Sequence, residues 1–167
     1  MRRMVLSILV DNTSGVLSRV AGLFSRRGYN IDSISSGVTQ DPKVSRLTVA
    51  VTGEELTLEQ IEKQLEKLED VKEIIELKEN NSVCRELVLV KVMADTKERQ
   101  AIIGIADIFR AKIVDVAVDS LMIELTGNQN KLDAFIKLLD GFIIKELVRT
   151  GLTGLTRGLG DIADYID

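Results

Sequence analysis

The sequence predicts an α+β chain of two β-α-β-β-α-β units in tandem, and three observations carry that expectation. Apolar residues alternate over short runs and recur at helical spacing over longer ones, in the order strand, helix, strand, strand, helix, strand. After a polar break at "KENNSVC" the same order begins again. The halves also align in part by letter: "LTVAVTGEELTLEQIEKQLEKLEDVKEIIEL" lies over "LMIELTGNQNKLDAFIKLLDGFIIKELVRTG" with strand, turn glycine, helix and strand in step. A unit of this order is ferredoxin-like. The expected domains are residues 1–78, a linker 79–84, residues 85–151, and a tail 152–167 that is glycine-rich and then acidic.

Taken in order, Met4 to Val10 is an apolar strand. Gly15 to Arg27 follows as a helix, with Val16, Leu17, Val20, Leu23 and Phe24 sharing one face. Arg26 and Arg27 suit its C-terminal dipole, and Gly28 is a left-handed stop. Two strands, "NIDSISSGV" and "SRLTVAV", flank a turn at "TQDPK" that holds Pro42. In the second, Leu47, Val49 and Val51 alternate with Thr48 and Ala50. A second helix from about Thr57 carries Leu58, Ile61, Leu65 and Leu68 on one stripe, and "VKEIIEL" closes the unit as a strand. The repeat supplies "ELVLVKVMA" as strand and "KERQAIIGIADIFR" as helix. "AKIVDVAVDSLMIELTG" gives two strands turning at Asp119-Ser120, "NKLDAFIKLLD" a helix, and "FIIKELVR" the last strand.

Composition removes whole classes of function. The 167 residues are 45% hydrophobic, enough for a packed core, and the net charge is −4, which argues against a nucleic-acid binder that neutralises phosphates. No apolar run approaches the ~20 residues of a membrane span. The opening "MRRMVLSILVDNTSG" has the two arginines of a signal peptide, but Ser7 and Asp11 interrupt it and it reads as a strand. The single cysteine, Cys84, agrees with a reducing compartment, so the chain is expected to be cytoplasmic. Without histidine there is no Ser-His-Asp or Cys-His catalysis and no imidazole metal site, and one cysteine makes no thiolate site. No catalytic or metal-binding residue is therefore assigned. Most acidic residues lie between the apolar positions of the second helix, where they read as a solvated face.

The fold does not choose a function by itself. An RNA-recognition module needs exposed aromatics on its central strands, which here carry Val, Leu, Ser and Thr. An acylphosphatase-like enzyme is harder to exclude, since Arg19 and Asn30 could be conscripted for it, although their spacing demands nothing of the kind. Gly15 stands out most. It falls where the first N–H groups of a helix lack partners and form a small anion site, and its missing side chain lets a carboxylate approach. Asn12, Thr13 and Ser14 add polar groups beside it. The alternative is that Asn12 to Ser14 cap the helix and Gly15 is a turn residue.

The stretch "DNTSGVLSRVAGLFSRRGYNIDSIS" resembles the signature of an ACT domain, a ferredoxin-like module that binds amino acids. With "MRRMVLSILVDN", "DPKVSRLTVAV", "LEQIEKQLEKLEDV", "RELVLVKV", "IFRAKIVDV", "GNQNKLDAF" and "LVRTGLTGLTRG", the chain resembles the small regulatory subunits of acetohydroxyacid synthase, also called acetolactate synthase. The resemblance runs from Met1 to about Gly158 and leaves out "LGDIADYID".

That resemblance implies a subunit with no chemistry or cofactor of its own. The large catalytic partner would hold thiamine diphosphate, magnesium and FAD and make 2-acetolactate from pyruvate. The small subunit would activate it and confer feedback inhibition by a branched-chain amino acid, typically valine. It also implies a homodimer through the ACT domain with effectors bound between protomers. The effector carboxylate would meet the amides around Ser14, Gly15, Val16 and Leu17, and Asn12 with Asp11 would receive its ammonium. Asn30 would reach across from the neighbouring protomer with Ile31 beside it, and Leu17 would touch the branched side chain or belong to the core. A stand-alone ACT-type sensor acting on another enzyme or a transcription factor is the alternative.

Overall fold

A computed structural model describes residues 1–164 as two compact units: Met1–Cys84 with the chain from Leu152 onward, and Arg85–Gly151. In the first unit the elements are β1 (Arg2–Asp11), α1 (Val16–Arg26), β2 (Ile31–Val38), β3 (Val44–Gly53), α2 (Glu55–Glu66) and β4 (Val71–Glu76). Its strands form an antiparallel sheet in the order β2-β3-β1-β4. The second unit repeats the plan with β5 (Ser82–Met93), α3 (Arg99–Ile108), β6 (Lys112–Val116), β7 (Ser120–Gly127), α4 (Gln129–Leu138) and β8 (Ile144–Arg149). Its order is β6-β7-β5-β8. Both units are thus ferredoxin-like, as the hydrophobic periodicity predicts.

Alternation decides which face of each sheet receives the helices. Met4, Leu6, Ile8 and Val10 of β1 join Leu47, Val49 and Val51 of β3 against Val16, Val20, Leu23 and Phe24 of α1 and Leu58, Ile61 and Leu65 of α2. Burying each large side chain of that set contributes about 1.5–3 kcal/mol before entropy is counted. Val88, Val90 and Val92 of β5 play the same part with Ile102, Leu132 and Phe135 in the second unit.

The structure also differs from the expectations. The stripe on α1 places Leu17 on the buried face, but it is 48% exposed, while the helix buries Val16, Val20, Leu23 and Phe24. Leu17 falls one residue past Val16, about 100° round the helix from it. α2 starts at Glu55, two residues before the expected Thr57. Ser82–Cys84, read as the end of a linker, already belong to β5.

The segment read as an appended tail contains β9 (Thr153–Thr156), which pairs with β5, and Ile162 is buried against Leu9 and Val44. Ser35 Oγ donates to the Leu152 carbonyl at 2.9 Å, and the Leu152 N–H donates to Ser33 Oγ at 3.4 Å. Ser33 and Ser35 pair with Ala50 and Thr48 of β3, so they stand on the sheet face opposite the helices. Three residues of the acidic end, Tyr165 to Asp167, lie outside the described residues.

Candidate functional site

The β1–α1 turn of the first unit is built around Gly15. This residue is the N-cap of α1 with φ 86°, a left-handed conformation that glycine adopts without strain. The first helical bond runs from the Arg19 N–H to the Gly15 carbonyl at 3.0 Å, and among the described residues α1 has no side-chain cap. The capping role weighed for Asn12 to Ser14 is not the one they take. The Asn12 N–H and Nδ2 donate to the carbonyls of Lys43 and Pro42 at 2.8 and 2.9 Å, pinning the turn to the β2–β3 loop. That leaves the Asn12 side-chain oxygen as the end able to receive a donor.

A cation sits beside this helix start. The Arg19 side chain lies over Gly15, with Nη1 2.9 Å from where a Cβ on Gly15 would stand, and Nε donates to Asp70 Oδ2 at 2.6 Å. Arg19 is one helical turn beyond Gly15, a spacing visible in the sequence, where its charge was read only as a candidate for other chemistry. Asp11, at the end of β1, faces Lys72 Nζ at 3.3 Å, so its carboxylate already has a positive partner. Val16 is buried in the core and offers the site its backbone alone, whereas exposed Ser14 and Leu17 offer side chains.

The remaining candidates lie elsewhere in the protomer. Asn30 is exposed just before β2, and Ile31 is half-buried against the first core. Ile31 pairs with Val51, and Val51 with Met4, whereas Asp11 pairs with Val44 at the other end of β1. Met4 and Asp11 are seven steps apart, roughly 23 Å along a strand. One protomer therefore does not bring the Asp11–Leu17 group and the Asn30–Ile31 group together.

The equivalent turn in the second unit is closed. Asp95 Oδ1 accepts from the N–H groups of Lys97 and Glu98 at 2.9 and 2.7 Å, so the chain supplies its own carboxylate in the turn that leads into α3. That helix itself has no side-chain cap among the described residues. Arg99 donates to the carbonyls of Ala117 and Val118 at 2.6 and 2.8 Å and ties the β6–β7 turn to that helix. Among the described residues no cluster of His, Cys, Asp or Glu is arranged to hold a metal ion, and no helix is long and apolar enough to cross a membrane.

Two ferredoxin-like units, the first opening its leading helix on a bare left-handed glycine, define a tandem protein headed by an ACT domain; residues 6–73 match the family described as the AHAS small subunit-like ACT domain. Residues 85–158 match the family described as the small subunit of acetolactate synthase, and the chain belongs to the acetolactate synthase small-subunit family. It is 45% identical to an acetolactate synthase small subunit of Mycobacterium leprae, over 92% of this chain and 90% of that one. It is 48% identical to the Haemophilus influenzae acetolactate synthase small subunit, over 93% and 96%. The crystal structure of the Thermotoga maritima small subunit superposes with a TM-score of 0.87 at 41% identity, covering 96% of this chain and 100% of that one.

Proposed function

We propose that this chain is a non-catalytic regulatory subunit of acetolactate synthase. It binds the large catalytic subunit, raises its activity, and makes it answer to a branched-chain amino acid, with valine as the first candidate. The observation that carries this reading is the family match along nearly the whole chain. Thiamine diphosphate, magnesium and FAD belong to the catalytic partner, and both subunits work in the cytoplasm.

The effector site lies between two copies of the chain. The carboxylate meets the amides of Ser14 to Leu17, where Gly15 leaves room and the helix dipole with Arg19 favours a negative charge. Asn12 and Asp11 receive the ammonium, and Leu17 contacts the branched side chain. Asn30 and Ile31 come from the neighbouring protomer, an assignment supported by their distance from Gly15 within one chain. The two copies join through the first unit, whose β2 is a sheet edge with Val38 62% exposed.

The test is reconstitution with the catalytic subunit of the same organism. Adding the chain is expected to increase 2-acetolactate formation, and valine, leucine or isoleucine to reverse the increase. A chain that neither binds the catalytic subunit nor changes its rate would contradict the proposal. Light scattering should give at least a dimer at micromolar concentration; a monomer would remove the shared site.

A further inference from the structure

The segment from Leu152 to Asp164 lies on the face of the first unit's sheet that the helices leave free. Three glycines fit it there. Gly151 and Gly158 have φ of 85° and 90°, where a side chain would be strained. Gly154 lets the backbone close in: a Cβ on it would stand 2.6 Å from Cys84 Sγ and 2.8 Å from the Val83 carbonyl oxygen. The Arg157 N–H donates to the Asn81 carbonyl at 2.7 Å, which anchors the middle of the segment.

Its two ends rest on the two strands that carry the candidate site. Leu152 is bonded to Ser33 and Ser35 of β2, two and four residues beyond Ile31. Ile162 packs on Leu9, two residues before Asp11, and on Val44, next to the Lys43 carbonyl that holds the Asn12 N–H. The segment therefore touches the supports of both half-sites while contributing to neither. Through Thr150 and Gly151 it continues covalently from Arg149, the last residue of β8.

We infer that Leu152–Asp164 is a strap that senses effector occupancy, held more tightly when β2 and the β1–α1 turn are ordered by a bound amino acid. The inference rests on the effector site proposed above and adds the element that responds to it. A ligand can shift the strap only if it binds more strongly to the state in which the strap is held. By reciprocity, loosening the strap weakens the ligand by the same factor that the ligand tightens the strap.

The test uses the full chain with L-valine, L-leucine and L-isoleucine as probes. Calorimetry on the unaltered chain comes first; if none of the three binds, the effector-site reading is overturned and the strap inference with it. With a binding probe in hand, hydrogen exchange at the Leu152 and Arg157 amides is expected to slow several-fold at saturation. Ser33→Ala combined with Ser35→Ala is expected to weaken the probe several-fold, by no more than the factor by which the probe slows strap exchange, because the two serines act on the ligand only through the strap. Gly154→Val, which forces the strap off Cys84 and Val83, should weaken it more. Activation of the catalytic subunit without effector should persist in the serine variant, a separation that general misfolding would not give. Binding that leaves strap exchange unchanged, or that survives both variants at full strength, would overturn the strap inference and leave the effector site standing.

Discussion

The β1–α1 turn of the first unit and the β5–α3 turn of the second occupy the same place in the same fold and solve the same problem differently. Each helix begins with N–H groups that have no partner inside the helix. In the second unit α3 has no side-chain cap among the described residues, but the Asp95 carboxylate fills the turn that leads into it, accepting from the Lys97 and Glu98 N–H groups. Arg99 is spent on the neighbouring β6–β7 turn. In the first unit the equivalent place holds Gly15, with no side-chain cap on α1 among the described residues and Arg19 lying alongside. A duplicated fold can thus fill one such turn with its own carboxylate and leave a bare glycine at the other, which is where the effector carboxylate is proposed to sit. The difference lies in a few residues of one turn, not in the architecture.

The largest expected effect comes from making the first turn resemble the second. Gly15→Asp puts a carboxylate beside Arg19 where the effector's own is proposed to sit, and affinity for valine should fall about a hundredfold or more, each factor of ten being about 1.4 kcal/mol. Because Gly15 is left-handed, the variant also carries a backbone cost of about 1–2 kcal/mol, read as a lower melting temperature. Gly15→Ala carries that cost without the charge, so it should lose far less affinity. The Asp variant should still activate the catalytic subunit, and wild-type feedback in a folded Gly15→Asp chain would place the effector elsewhere.

The reverse change is smaller. Asp95→Ala removes the built-in carboxylate and should destabilise the second unit by about 0.5–2 kcal/mol in urea unfolding, with valine affinity unchanged. A loss of valine response in this variant would end the division of labour between the two turns.

The smallest effect belongs to the exposed carboxylates. The hydrogen bond from Lys91 holds Glu146 below the ordinary glutamate value of 4.5, as that from Arg2 does for Glu55. Each contributes stability that is present above that value and is lost as pH falls through the lower folded-state pKa. Glu146 is 74% exposed on its side chain, so the loss should be slight and should shrink further in salt. A steep acid dependence that Glu146→Gln abolishes would show that the second unit leans on this pair more than its exposure allows.

Much of the fold is legible because alternation and helical stripes are direct consequences of a two-layer unit. Leu47, Val49 and Val51 point to the core for the same reason that Thr48 and Ala50 point away from it. Gly15 was legible as a place needing explanation, since its neighbours already suggested a helix start. The exposure of Leu17 was not, because a residue adjacent to the buried stripe reads as part of it until its neighbours are known. The separation of Gly15 from Asn30 depends on strand register, which places Ile31 opposite Val51 and cannot be counted from composition. The strap was hidden for another reason. Its glycines resemble a loose tail, and what they permit at Gly154, close approach to Cys84 and Val83, involves residues about seventy positions earlier.

The central claim is that an amino-acid effector docks on the start of α1 and not on its counterpart in the second unit. The direct measurement is a titration of the full chain with L-valine, followed through backbone amide chemical shifts. The account predicts saturable shifts at Gly15, Val16 and Leu17, accompanied by Asn30 and Ile31, with Lys97 and Glu98 unmoved. Saturable shifts at Lys97 and Glu98, or binding that leaves Gly15 to Leu17 untouched, would contradict it.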